Sequence, residues 1–319
     1  MKITVVGCGR WGSLIAWYLS SQKGYDVTMY GREGSANMQR FLKERKNDLL
    51  TLPDSVLLSV SLDSCLDADV IVVSVNSQGL RGLMEEMSRL ELKNKTVVLC
   101  MKGLEIGTGL RLSQVAREYL DGSVDIAVWV GPGHVQEFYA GVPNCMVIDS
   151  ESEEVKHMLV NAFSSRLIRF YFGNDLLGSE IGAASKNIIG IAAGMLDGKG
   201  LSTLKGALMS RGTREIARLI DAMGGNELSA YGLCHLGDYE ATVFSRHSHN
   251  RAFGEAFIKG ERFDGLAEGY YTVKAILEYE ERYGVELPIC RAVYNILYEG
   301  ADAAEELKKL FARTVKQEF

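Results

Sequence analysis

The stretch "VVGCGRWG", residues 5–12, sets Gly7, Gly9 and Gly12 in the spacing G-x-G-x-x-G. A bare match to that pattern says little; its context decides. Here it follows an apolar run at the start of the chain, "ITVVG" (3–7), and opens a helical pattern through Leu14, Ile15, Tyr18 and Leu19. Strand, glycine turn and helix in that order form the phosphate-cradling start of a dinucleotide fold. Gly7 permits the tight turn, Gly9 lets the backbone approach a pyrophosphate, and Gly12 allows helix and strand to pack closely. The pyrophosphate then rests on the helix N-terminus.

Working outward, the second strand candidate "DVTMYG" (26–31) ends where such a fold reads the ribose. A carboxylate there would hold the hydroxyls of NAD, but this chain has Gly31 and then Arg32. An arginine accommodates a 2′-phosphate, so NADP is the expected cofactor, and the neighbouring Glu33 keeps NAD open. Six more apolar runs follow: "VLLSV" (56–60), "DVIVVSV" (69–75), "TVVLCM" (96–101), "DIAVWVG" (125–131), "CMVID" (145–149) and "LIRFYF" (167–172). Amphipathic stretches such as "QGLRGLMEEMSRL" and "SEEVKHMLVNAF" separate them. Near-continuous β-branched strands alternating with helices predict an α/β fold, a Rossmann-type and mostly parallel sheet covered on both faces. After "FGND" (172–175) only helical patterns with glycine-rich joints remain. We therefore expect a dinucleotide-binding domain over 1–175 and an all-helical substrate-binding and catalytic domain over 176–319.

The first helix of that second part carries an anomaly. In "GSEIGAASKNIIGIAAGMLDG" (178–198) the helical neighbours of Lys186 are Gly182, Ala183, Ile189, Gly190 and Ala193. An ammonium group set among small apolar side chains is either snorkelling or paired for structure, or else kept desolvated for proton transfer or anion binding. The lysine alone does not decide between these.

Composition narrows the class. The 319 residues suffice for two domains with real cores, and 47% hydrophobic with 24% charged residues is a soluble globular profile. A net charge of −6 argues against nucleic acid or an anionic membrane as partner. No run of eighteen apolar residues spans a bilayer, and "KITVVG" at the N-terminus lacks the features of a signal peptide. The six scattered cysteines form no C-x-x-C pair, and the five histidines have no zinc spacing, so a cytoplasmic protein without a metal is expected.

With the glycine loop and the lysine helix in hand, most of the chain, to about Gly300, resembles the NAD(P)-dependent glycerol-3-phosphate dehydrogenases. "GCGRWGS" is similar to the family's glycine-rich loop with its tryptophan, and "MKGLE" (101–105) to its lysine turn. "GPGHVQE" (131–137) resembles its Gly-Pro-Ser loop, "GAASKNIIGIAAGMLDG" its signature helix, and "ALMSRGTREIARL" the helix after it. "GLCHLGDY" matches the Gly-Asp turn, "SHN" (248–250) the Ser-Arg-Asn element, and "AEGYYT" the Glu-Gly turn.

The resemblance implies hydride transfer between NAD(P)H and C2 of dihydroxyacetone phosphate or sn-glycerol 3-phosphate, feeding glycerophospholipid synthesis. Lys186 is then the acid/base, with small neighbours that let substrate and cofactor close over it. Lys102 holds substrate and cofactor together, and Asp238 orients Lys186 or the substrate hydroxyls. The implied cofactor contacts are Gly7, Gly9, Arg10, Trp11, Gly12, Arg32, Lys102, Val135, His249 and Glu268. Gly131, Gly133, Asn187, Ser248, His249 and Asn250 join Lys102, Lys186 and Asp238 around a small phosphorylated substrate. A homodimer is left open.

Two positions depart from the family pattern. Gly133 stands where a Ser or Thr hydroxyl is usual, and His249 replaces an arginine without offering its bidentate fork. The segment at 264–266 also looks short. These departures leave room for another small phosphorylated ketone or polyol as substrate. A dinucleotide-binding regulator without turnover is the remaining alternative, and it should have lost Lys186 or Asp238.

Overall fold

The computed structural model describes residues 1–314. They divide into two compact units, one of Met1–Glu105 with Leu110–Glu180, the other of Ile106–Gly109 with the chain from Ile181 onward.

The first unit is built on strands β1 (Lys2–Val6), β2 (Asp26–Tyr30), β3 (Leu57–Ser59), β4 (Val70–Val73), β5 (Thr96–Leu99), β6 (Asp125–Val130), β7 (Asn144–Ser150) and β8 (Ile168–Phe172). All eight apolar runs read from the sequence become strands. They form one sheet in the order β3-β2-β1-β4-β5-β6-β7-β8, parallel except where β6 meets β7. Every residue of β4 and β5 is buried, as expected of strands covered on both faces. Between strands run α1 (Arg10–Trp17), α2 (Ala36–Glu44), α3 (Leu80–Ser88), α4 (Leu112–Arg117), α5 (Val135–Tyr139) and α6 (Glu153–Phe163). From β1 the sheet grows toward β2 on one side and β4 on the other. That reversal is the topological switch point, where doubly wound sheets hold their ligands beyond the carboxyl ends of the strands.

From Leu176 the described residues contain helices and no strand: α7 (Leu176–Gly198), α8 (Lys205–Ala222), α9 (His249–Lys259), α10 (Glu268–Tyr283), α11 (Pro288–Tyr298) and α12 (Ala303–Phe311). Short turns join them, including Leu236–Asp238 and the wide helical turn Glu240–Phe244. Glu215 on α8 is fully buried and accepts the amide hydrogens of Ile289 and Cys290, at 2.9 and 3.0 Å, where α11 begins. Burial outweighs those bonds and pushes its carboxyl up to about 7.

Candidate active site

Sterics shape the glycine loop at two of its three glycines. Gly7 has φ +119°, and a β-carbon on it would stand 2.1 Å from the carbonyl oxygen of Ser74, just past β4. One on Gly12 would lie 2.0 Å from the Gly7 carbonyl, so α1 sits directly on the turn. Gly9, the residue before α1, is different: a β-carbon there would meet nothing within 4 Å. No side chain caps α1. An open glycine in front of an uncapped helix start fits the pyrophosphate of a dinucleotide, which would accept from those amides. Arg10 is exposed beside it, and Trp11 packs its ring 6.0 Å from that of Phe138.

Beyond β2, Gly31 is closed to any side chain, because a β-carbon would come within 2.6 Å of Cys8 Sγ and 2.9 Å of Met38. The ribose-reading carboxylate of an NAD site has no room at this position. Arg32 is the next side chain along, exposed and 3.8 Å from Glu86.

Lys102 follows β5, and its Nζ donates to the Gly131 carbonyl, just past β6, at 2.7 Å. Because β5 and β6 run parallel, the two meet at the same sheet edge. Gly133 has φ +146°, and a β-carbon on it would collide with the ring of Phe138 at 2.2 Å. The absent hydroxyl at this position therefore has a local cause. Val135 is buried at the first position of α5.

In the second unit Lys186 lies inside α7. Its Nζ stands 2.8 Å from Asp238 Oδ2 and donates to Thr242 Oγ1 at 2.8 Å. The Lys186 side chain is 10% exposed and that of Asp238 1%. Thr242 donates in turn to the Asp238 carbonyl at 2.7 Å. Two of the lysine's small neighbours have protein packed against them: a β-carbon on Gly182 would lie 3.1 Å from His235 Cβ, and one on Gly190 2.7 Å from Thr242 Cγ2.

Asn187, next along α7, accepts through Oδ1 from Asn250 Nδ2 at 3.1 Å, and Asn250 Oδ1 accepts from the Gly269 amide at 2.9 Å. Ser248 is buried and caps α9, accepting from the Arg251 amide. His249 is exposed, with Nδ1 3.3 Å from the Leu266 carbonyl and its ring edge-on to Phe263. Glu268 is half-buried in the first turn of α10. Arg251 is engaged elsewhere, ion-paired with Asp197 and Glu255. Thr242 went unread in the sequence, although its place four residues after Asp238 in "DYEAT" was a usable signal. No cluster able to hold a metal ion occurs among the described residues.

A switch-point glycine loop followed by a helical unit with a buried lysine–aspartate pair defines a nicotinamide-dependent dehydrogenase. Family models of the NAD-dependent glycerol-3-phosphate dehydrogenase N-terminus and C-terminus match residues 2–156 and 175–308. The chain belongs to that family. A "Glycerol-3-phosphate dehydrogenase [NAD(P)+]" of Prosthecochloris aestuarii is 37% identical over the full length of both chains. One from Chlorobium limicola is 35% identical, covering 100% of this chain and 99% of its own. The solved glycerol-3-phosphate dehydrogenase of Coxiella burnetii superimposes with TM-score 0.91 at 27% identity, over 98% of this chain and 99% of its own.

Proposed function

We propose that this protein reduces dihydroxyacetone phosphate to sn-glycerol 3-phosphate with NAD(P)H, NADPH preferred, and runs the reverse reaction when product accumulates. The observation that supports it most directly is the Lys186–Asp238 pair, 2.8 Å apart and buried, in a chain of this family. An ion pair so far from water is a poor stabiliser by itself, since desolvating both charges offsets their attraction. Retaining it makes sense where the ammonium proton has work to do.

When bound, the dihydronicotinamide supplies a hydride. Gly9 and the start of α1 hold its pyrophosphate, Arg10 and Trp11 flank that loop, and Arg32 meets the 2′-phosphate. Lys186 donates its Nζ proton to the substrate carbonyl oxygen, which becomes the C2 hydroxyl, and withdraws that proton in the reverse direction. Asp238 and Thr242 hold Nζ on its line of approach. Lys102, oriented by the Gly131 carbonyl, places substrate and cofactor; Val135 and Glu268 are further cofactor contacts. Asn187, Asn250, Ser248 and His249 take the hydroxyl and phosphate ends. The six free thiols suit a cytoplasmic address. No helix among the described residues is long and apolar enough to cross a membrane.

Gly133 and His249 favour a second reading on the substrate side alone, in which a related phosphorylated ketone is used better. Loss of NADPH absorbance against dihydroxyacetone phosphate, other phosphorylated ketones and unphosphorylated dihydroxyacetone tests both. The primary reading requires the highest kcat/KM with dihydroxyacetone phosphate. Turnover of none of them overturns both.

A further inference from the structure

His235 and Tyr239 lie deep in the helical unit and have no part in the chemistry described so far. His235 is fully buried, with Nδ1 2.8 Å from the Gly182 carbonyl and Nε2 2.7 Å from the Tyr239 hydroxyl. A carbonyl can only accept, so Nδ1 carries the proton, Nε2 is the acceptor, and the tyrosine donates. Both ring nitrogens are thereby used, and the tautomer is set. The Gly182 carbonyl is also the one that α7 pairs with the backbone amide of Lys186, four residues on. His235 thus grips the backbone turn that carries the lysine. It does so from the residue that opens the turn Leu236–Asp238, which carries the lysine's counter-ion.

The sequence makes room for this contact on α7, where a β-carbon on Gly182 would stand 3.1 Å from His235 Cβ. The charged and titratable groups around the pair are Lys186 from α7, Asp238 on the same turn, Glu215 from α8 and Cys290 from α11. Desolvation is the largest influence on the imidazole and, with Lys186 nearby, pushes its pKa down to about 4. His235 is therefore neutral across the working range and adds no second cation beside the lysine.

We propose that His235, braced by Tyr239, is a positioning residue for proton transfer: it sets Asp238 against Lys186 by tying the Leu236–Asp238 turn to the Gly182 carbonyl. The proposal rests on Lys186 being the proton donor. Removing the tie lets Asp238 drift from Lys186, and a buried ammonium losing its counter-ion gives up its proton more readily.

The test uses the full-length protein carrying His235→Leu, His235→Asn, His235→Gln and Tyr239→Phe. Asparagine can place an amide nitrogen where Nδ1 stood, while glutamine reaches the Nε2 position. His235→Leu is expected to lower kcat by about a hundredfold, the order of loss that follows a misplaced group, with KM for NADPH unchanged. The alkaline limb of its kcat profile should move down by about one pH unit. His235→Asn should recover most of the rate and His235→Gln little, with Tyr239→Phe in between. Carbon-13 titration of the Lys186 Cε, assigned by its loss in Lys186→Met, gives a readout independent of turnover. A Lys186 titration that stays in place in folded His235→Leu overturns the proposal. Should His235→Leu fail to fold, equal rates and titrations for the asparagine and glutamine variants overturn it equally. If the titration moves as expected while the parent turns over no ketone, the positioning role stands and the proposed reaction falls.

Discussion

The ring of Phe138 fills the space that a β-carbon on Gly133 would need, at 2.2 Å, and Gly133 itself holds φ +146°. A serine introduced here therefore meets both a backbone it disfavours and a ring that must move. We expect Gly133→Ser to lower stability by about 3 kcal/mol, from overpacking plus left-handed strain. Combined with Phe138→Leu, its cost should fall well below the sum of the single effects, because the two residues share one space. Urea unfolding of the four members of the cycle checks this, and strict additivity would refute it.

Lys186→Met keeps the aliphatic stem and removes the proton. The rate of ketone reduction should drop by roughly 10²–10⁴-fold, with NADPH affinity by fluorescence titration unaltered. Thr242→Val, which deletes one hydrogen-bond acceptor at Nζ, should lose about tenfold. A Lys186→Met variant within tenfold of the parent would assign the chemistry to another group.

Cofactor preference follows from Gly31 and Arg32. A charge-assisted contact to the 2′-phosphate contributes about 1.5–3 kcal/mol, so NADPH should bind roughly tenfold or more tightly than NADH. Arg32→Ala should abolish the preference. Glu86 competes for the same guanidinium from 3.8 Å, both partners being exposed. Glu86→Gln should therefore widen the preference only a few-fold, as for any surface pair. Equal affinities in the parent would contradict the assignment.

Glu215 predicts how stability varies with pH. Its carboxyl is raised from an ordinary 4.5 to about 7 in the folded state. Between those values the native protein keeps a proton that the unfolded chain has released. Glu215 thus favours the fold most below pH 4.5, and the advantage is lost as pH rises through 7. The loss is about 3 kcal/mol. Glu215→Gln should remove this slope, so the stability difference between parent and variant shifts by that amount between pH 5 and 8. Parallel curves in urea would show that Glu215 does not titrate as described.

Much of this was legible in the residues. The eight strands were readable because their β-branched runs are nearly uninterrupted, which only a doubly covered sheet tolerates. Lys186 was conspicuous as one charge in an apolar helix, and the glycine spacing identified the loop. The partners that complete each feature were not visible. Phe138 lies five residues from Gly133 and meets it only because the chain turns into α5. His235, within "GLCHLGDY", has no periodic context, and its value comes from a helix more than fifty residues earlier. The place of Thr242 four residues after Asp238 was a local signal, but its contact with Lys186 comes from long-range packing between α7 and the turn Glu240–Phe244.

The amide–amide relay from Asn187 through Asn250 to the Gly269 backbone has a use as a gauge of local opening. It joins α7, α9 and the start of α10, so the Gly269 N–H can exchange with solvent deuterium only when that junction parts. Its exchange lifetime, measured at a single amide, then reports the free energy of separating three helices. Any substitution or ligand that tightens or loosens the junction should register there first, before the global unfolding transition moves.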